Sequence, residues 1–272
     1  MPELRVIEMS KAEQSKEVAV VDSMVLAERP DWMNTDSGRG SENVSSNDIV
    51  IPRIEIIQQL SPQHNKKKPE YIEGAEAGMA FNTGSSALYN GPILFIPVYF
   101  TKEWLLWKDI KKGGGFGGSY ASEELANAAK MEQEVPNDWE VVDTYTHFVM
   151  VLKAGSTLEK PLFEEAVLSM SKSQAKVSRN FNTLVKMAGG DRFSKIYQLE
   201  VVDDQNKEGQ DYFNWKITPK GFVSKAMYSA AERLYEVIKA GERTVSRAEP
   251  APQASRTEKT VNPADFDDDM GL

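Results

Sequence analysis

Between residues 49 and 240, short runs of β-branched and aromatic residues recur between clusters of Gly, Pro, Asn and Asp. That spacing is the signature of strands. It predicts extended segments at 92–100, 102–108, 145–152, 162–170, 196–202 and 212–218, and an opening run at 49–60. Pro52 interrupts that first run, and since proline in a sheet is confined to edges, first positions and bulges, this argues against a central strand there. Two windows change period. One starts at Ser171 or Ser173, either able to cap a helix, and stops at Gly189 and Gly190 at about residue 188. The other follows Pro219-Lys220-Gly221 and places Phe222, Ala226, Met227, Ala230, Leu234, Val237 and Ile238 at helical spacing up to about residue 240. The pattern predicts a β-dominated core with two helices, the second packed by its apolar face.

The ends lack such periodicity. Residues 1–47, apart from a short apolar patch at 18–26, and residues 246–272 bury too little apolar surface to offset ordering entropy, so they are expected to be a flexible arm and a disordered tail around a core at 48–245. Charge sharpens this division. The net −9 resolves into −4 over residues 1–47, −1 over 48–247 and −4 over 248–272, so the core is near neutral and can still present a basic groove. The chain has no cysteine and only His64 and His147, which argues against disulfides, thiolate chemistry, a zinc site or any other metal site. The longest apolar run, 92–100, falls far short of the roughly 20 residues that cross a bilayer. A cytoplasmic protein without a membrane partner is the expectation.

Three features suggest contact with a polyanion. At about 100° per residue, Lys172, Lys176, Arg179 and Lys186 fall within about 80° of one another, opposite Val177, Phe181, Leu184, Val185 and Ala188. Arg192 follows in the next loop. Such a ridge suits phosphates, whose neutralisation releases counterions, or it is simply a solvated face. The stretch Lys102, Trp104, Trp107, Lys108, Lys111 and Lys112 interleaves cations with aromatics; strand alternation puts Trp104 and Trp107 on opposite faces, so one of them is the more exposed. Exposed aromatics next to cations are the stacking platforms of single-strand binders, whereas buried ones would be core. In 212–218, Tyr212, Asn214, Lys216 and Thr218 share one side and Phe213, Trp215 and Ile217 the other; the first set is a candidate binding face with Tyr212 and Lys216 as contacts.

Two motifs match a formula without its context. Gly113, Gly115 and Gly118 spell G-x-G-x-x-G, but no buried parallel strand precedes them, no βαβ pattern surrounds them and no Walker lysine follows. A flexible loop is the better reading. Asp265, Asp267 and Asp269 alternate as in a calcium loop, but Met270 stands where the sharp turn needs glycine and the required Glu is lacking. Neither motif supports a cofactor, and no residue is a candidate for catalysis, so a binder rather than an enzyme is expected.

The end of the chain, Asp265-Phe266-Asp267-Asp268-Asp269 followed by Met270, Gly271 and Leu272, resembles the acidic tail tip of bacterial and phage single-stranded DNA-binding proteins. The order of strands, inserted helix, further strands and closing helix is similar to the phage OB-fold members of that group. Ile51-Pro52-Arg53 and Asn82-Thr83-Gly84 are also similar to stretches of phage-encoded proteins. The resemblance implies a mainly β (α+β) fold, an OB-like five-stranded barrel with one inserted helix and a C-terminal helix. It implies sequence-independent binding of single-stranded DNA, with Asp265, Phe266, Asp267, Asp268, Asp269 and Leu272 docking replication, recombination or transcription proteins, and it leaves homo-oligomers open. Where bacterial members end in Pro-Phe this chain ends in Gly-Leu. The alternative is a phage-encoded interaction protein that binds a host factor and never touches nucleic acid.

Overall fold

One strand organises the protein. In a computed structural model, β5 (Ile93–Lys108) runs for 16 residues through the centre of the main sheet. Two separate runs were expected there. Pro97 and Tyr99 flank a bulge, and Thr101, polar but β-branched, pairs across to Thr146, so the strand continues through both. The structure describes residues 39–44, 50–206, 209–241 and the backbone of 244–245.

The remaining elements are β1 (Val50–Ile51), β2 (Ile54–Ile56), β3 (Ala80–Asn82), β4 (Leu88–Tyr89), β6 (Phe116–Tyr120), α1 (Glu123–Met131), β7 (Trp139–Leu152), β8 (Phe163–Ser171), α2 (Ala175–Ala188), β9 (Lys195–Gln205), β10 (Asp211–Phe222), α3 (Lys225–Lys239) and β11 (Thr244–Val245). The main sheet is antiparallel in the order β10-β9-β5-β7-β8. On the side of β5 away from β7, β9 pairs with Ile93–Phe95 and β6 with Trp104–Trp107. A small sheet joins β2, β3 and β4, and β1 pairs in parallel with β11.

The chain is therefore mainly β with a few helices, but its main sheet is open. β8 and β10 end the sheet and do not pair with each other, which corrects the expected closed five-stranded barrel. The reason lies at the two edges. Beside β8, Val167 donates to the Pro52 carbonyl, and Arg53 forms an isolated parallel bridge with Val167. Beside β10, the Gln58 side chain accepts from the Phe213 N–H at 3.0 Å and donates to the Phe213 carbonyl at 2.8 Å. Residues 52–58 thus span from one edge to the other. Pro52 lies outside any central strand, while Pro97 enters one at the bulge of β5, where a missing N–H is tolerated.

Two cores lie on the two faces of the sheet. Phe95, Val149, Leu168, Tyr197 and Trp215 pack with Ile54 and Ile56 of the small sheet and Phe181 of α2. Ile96, Val98, Phe148 and Met150 pack with Met227, Ala231, Leu234 and Ile238 of α3. Burying a side chain of this size contributes about 1.5–3 kcal/mol, so strands apolar on both faces are what hold β5 and β7 at the centre. α3 starts later than the periodicity suggested: Ser224 accepts from the Met227 N–H and caps it. Phe222 instead ends β10, 72% exposed, with Lys195 Nζ 4.7 Å from its ring centroid.

The chain divides into two compact units, Met1–Val44 and Ser45–Leu272. Of the first, residues 39–44 form a turn in which Val44 donates to the Ser41 carbonyl.

Candidate nucleic-acid interface

β6, β5 and β7 extend past the cover of α2 as a three-stranded end, and its two sides differ. Leu105, Trp107 and Val142 alternate onto one side and are buried together. Trp107 is accordingly core, its ring 5.0 Å from that of Phe116. The other side carries Trp104, Trp139 and Tyr120, all half-buried, with exposed Lys102 and half-buried Lys108. Cross-strand partners share a face, and here Lys102 lies opposite Tyr145, Trp104 opposite Asp143 and Lys108 opposite Trp139, while Tyr120 flanks Trp104 from β6. Cations and rings thus alternate over the sheet.

Their contacts are close. Lys102 Nζ lies 4.3 Å from the Trp104 ring centroid and 5.2 Å from that of Tyr145, and Lys108 Nζ lies 6.0 Å from the Trp139 ring. The Tyr145 hydroxyl donates to Asp143 Oδ2 at 3.0 Å and accepts from Arg179 Nη1 at 3.4 Å, which brings α2 to the border of the platform. Gly117 makes the floor possible. A Cβ there would stand 2.7 Å from the Trp139 ring and 2.9 Å from Leu106, so only glycine lets these groups converge. Tyr120 donates to the Gly117 carbonyl at 3.0 Å. The glycine run expected as a flexible loop is thus partly strand β6; its first residue, Gly113, ends a turn over Ile110–Lys112 that Asp109 caps by accepting from the Lys111 N–H.

The other expected contacts are placed as follows. Lys111 and Lys112 are exposed on that turn. Lys172 precedes α2 in a short turn, with φ of 51°, and its ammonium pairs with Glu140 at 2.8 Å, so it leaves the ridge and is partly neutralised. Lys176 is exposed near Asp204, whose carboxyl it helps hold below the usual range, after the hydrogen bonds from Asn214 and Tyr212. Arg179 reaches Tyr145, and Lys186 is exposed in the last turn of α2. Tyr212 donates to Asp204 Oδ2 at 2.8 Å, and Lys216 is exposed on β10 opposite Glu200. Asn214, placed with them on a binding face, is buried and donates to the same carboxylate at 2.8 Å. The structure brings together Lys102, Trp104, Lys108 and Arg179, and adds half-buried Tyr120 and Trp139, with Tyr145 buried beneath Lys102. Asp265, Phe266, Asp267, Asp268, Asp269 and Leu272 lie outside the described residues.

Arg192 turns inward. Its guanidinium lies over Phe100 and Phe181 and donates to Asn182 Oδ1 at 2.9 Å and to His147 Nδ1 at 2.7 Å. A guanidinium only donates, so Nδ1 must accept, and Nε2–H donates to Ser178 Oγ at 2.7 Å. Burial, then the adjacent cation, hold His147 well below its ordinary range, and burial lowers Arg192 to about 10. This network locks α2 onto β7 rather than facing a ligand.

Fold and site together describe a mainly β, antiparallel protein with an aromatic and cationic sheet face. The family model of the Pam3 phage gp34-like protein matches residues 19–244, and the chain belongs to this phage protein family. Neither the curated proteins nor the solved structures contain a match to it. Among the described residues no helix is long and apolar enough to cross a membrane.

Proposed function

We propose that the protein binds single-stranded DNA with little sequence preference in phage replication or recombination, acting in the host cytoplasm as a binder without catalysis. The observation that carries this reading is the exposed ammonium of Lys102 set over the half-buried Trp104 ring, with half-buried Tyr120 and Trp139 on the same face and Tyr145 and Leu106 buried beneath them. Bases stack on such rings whatever their identity, each worth about 1–3 kcal/mol, and neighbouring cations neutralise the backbone. The inserted helix between β8 and β9, and the span of residues 52–58 between the sheet edges, support an OB-like ancestry for the open sheet. The acidic tip at 265–272 would recruit replication, recombination or transcription proteins.

Fluorescence anisotropy with a labelled thymidine 15-mer, followed together with tryptophan quenching, tests the reading. Saturable binding that quenches tryptophan and weakens steeply with salt is expected. Absence of binding, or a complex indifferent to salt, overturns it and favours an interaction protein that never contacts nucleic acid.

A further inference from the structure

We propose that the hollow between the start of α2 and the first residues of β10 is a base-reading pocket, taking one nucleobase, adenine best, from a strand lying on the aromatic platform. This rests on the function proposed above. The cavity is about 170 Å³ and opens to solvent; Gln59, Ser173, Gln174, Gln210, Tyr212 and Phe213 line it. That is far more room than one water needs, and its walls suit a flat, neutral group with hydrogen-bonding edges.

The chemistry of the walls is carboxamide chemistry. Gln174 is half-buried, and its amide has no hydrogen-bond partner among the described residues, nor has that of exposed Gln59. A carboxamide offers a donor and an acceptor side by side. Gln58, the neighbour that fixes the Phe213 wall, already uses that pair bidentately on a backbone N–H and C=O. Adenine presents the matching acceptor and donor at N7 and N6. Asp211 in the lining and Asp204 beside it disfavour phosphate in the cavity: Asp204 takes the Tyr212 hydroxyl and the Asn214 amide and Asp211 accepts from Gln205, which leaves the Gln174 and Gln59 amides to a ligand.

Helix α2 supplies the path. Exposed Arg179 reaches the hydroxyl of buried Tyr145 at the border of the platform, and Gln174, which precedes the first helical residue, lies five residues earlier, about 7.5 Å along the axis. Exposed Lys176 lies between them and is placed for the intervening phosphate. A strand leaving the platform at Arg179 thus meets Lys176 before its next base meets the pocket.

The test uses the full chain and two labelled oligonucleotides, a thymidine 15-mer and the same strand with one central adenine. The adenine strand should bind about five- to a hundredfold tighter, the range of a bidentate base contact. Gln174→Ala should erase that difference and leave the thymidine affinity within about twofold, and Gln59→Ala, at an exposed position, should reduce the difference. An azidoadenine at the central position should cross-link to the peptide containing Tyr212. Equal affinity of the two strands for the unaltered protein, or equal weakening of both by Gln174→Ala, overturns the pocket while leaving the platform standing. Failure of either strand to bind removes both proposals.

Discussion

Trp104 and Trp107 are three residues apart on one strand, yet replacing them should give opposite phenotypes. Trp104 is half-buried on the accessible side, and Trp107 is 7% exposed in the cluster with Leu105 and Val142. Removing one stacked base contact costs about 1–3 kcal/mol. Losing the ring under Lys102 removes a further contribution of about 0.5–1 kcal/mol that positions the cation. At about 1.4 kcal/mol per decade, Trp104→Ala should raise the Kd for a thymidine 15-mer by roughly ten- to several hundredfold. Its urea midpoint should move little, because the ring is partly solvated in the folded state. Trp107→Ala empties a core site and costs about 3–5 kcal/mol of stability, a large part of the 5–15 kcal/mol typical of a whole domain. Trp107→Phe should restore most of that stability and bind DNA normally. Anisotropy titrations and urea unfolding on the three variants decide the matter. A folded Trp104→Ala protein that binds like the unaltered one would refute the assignment of the platform.

Four further outcomes follow from the geometry. With about four phosphates neutralised, a single-strand slope of about −0.7 per phosphate means roughly fiftyfold weaker binding at 200 mM than at 50 mM salt; Lys172→Ala, whose ammonium is engaged by Glu140, should leave that slope unchanged, and a flatter slope would mean that Lys172 serves the DNA after all. Gly117→Ala places a Cβ against Trp139 and Leu106, so a loss of about 1–3 kcal/mol in thermal unfolding is expected together with weaker binding, and an unshifted melt would show that the rings are not held as described. His147 is neutral in the fold because burial and Arg192 depress its pKa, so the unfolded chain takes up more protons as pH falls below about 6.5; stability should be full above that pH and decline toward pH 5, and His147→Gln should flatten the decline. Deleting residues 263–272 should leave or raise DNA affinity while abolishing partner capture, and a tailless protein that bound DNA much more weakly would contradict the role given to the acidic tip.

Legibility in the sequence followed how local each determinant was. β8, β9 and β10 were marked by runs of Val, Ile, Tyr and Trp, and the alternation of Phe213, Trp215 and Ile217 into the core is as the period of two requires. The N-terminal half of β7, from Trp139, was missed because Glu140, Asp143 and Thr144 dilute its apolar pattern. α1 was missed because it buries only Ala126, so its apolar stripe is thin; Ser122 ahead of Glu123 and Glu124 was the available signal, and its hydroxyl does accept from the Leu125 N–H. β6 was hidden by its glycines, of which Gly117 makes room for the Trp139 ring and Gly118, at φ of 128°, for Tyr120. The candidate site was half visible. Lys102, Trp104 and Lys108 lie in one segment, but Tyr145, Trp139 and Tyr120 reach them only through strand pairing, and pairing is not written in the local sequence. The charge ridge overstated its case, since helical spacing cannot show that Glu140 and Asp204 stand beside Lys172 and Lys176. Arg192 read as surface because it sits in a loop, yet the two phenyl rings that draw it inward come from β5 and α2.

The outer border of β10 also bears on how copies of this protein can meet. Main-chain groups on that border recur every second residue, and several are withdrawn from outside use: Gln58 occupies both groups of Phe213, the Asn214 side chain takes the Trp215 N–H at 2.8 Å, and Pro219 has none to give. A border with these groups withdrawn offers a broken row for an incoming strand to pair with. Along this stretch of β10, contact between crowded copies falls to side chains rather than to the addition of a strand.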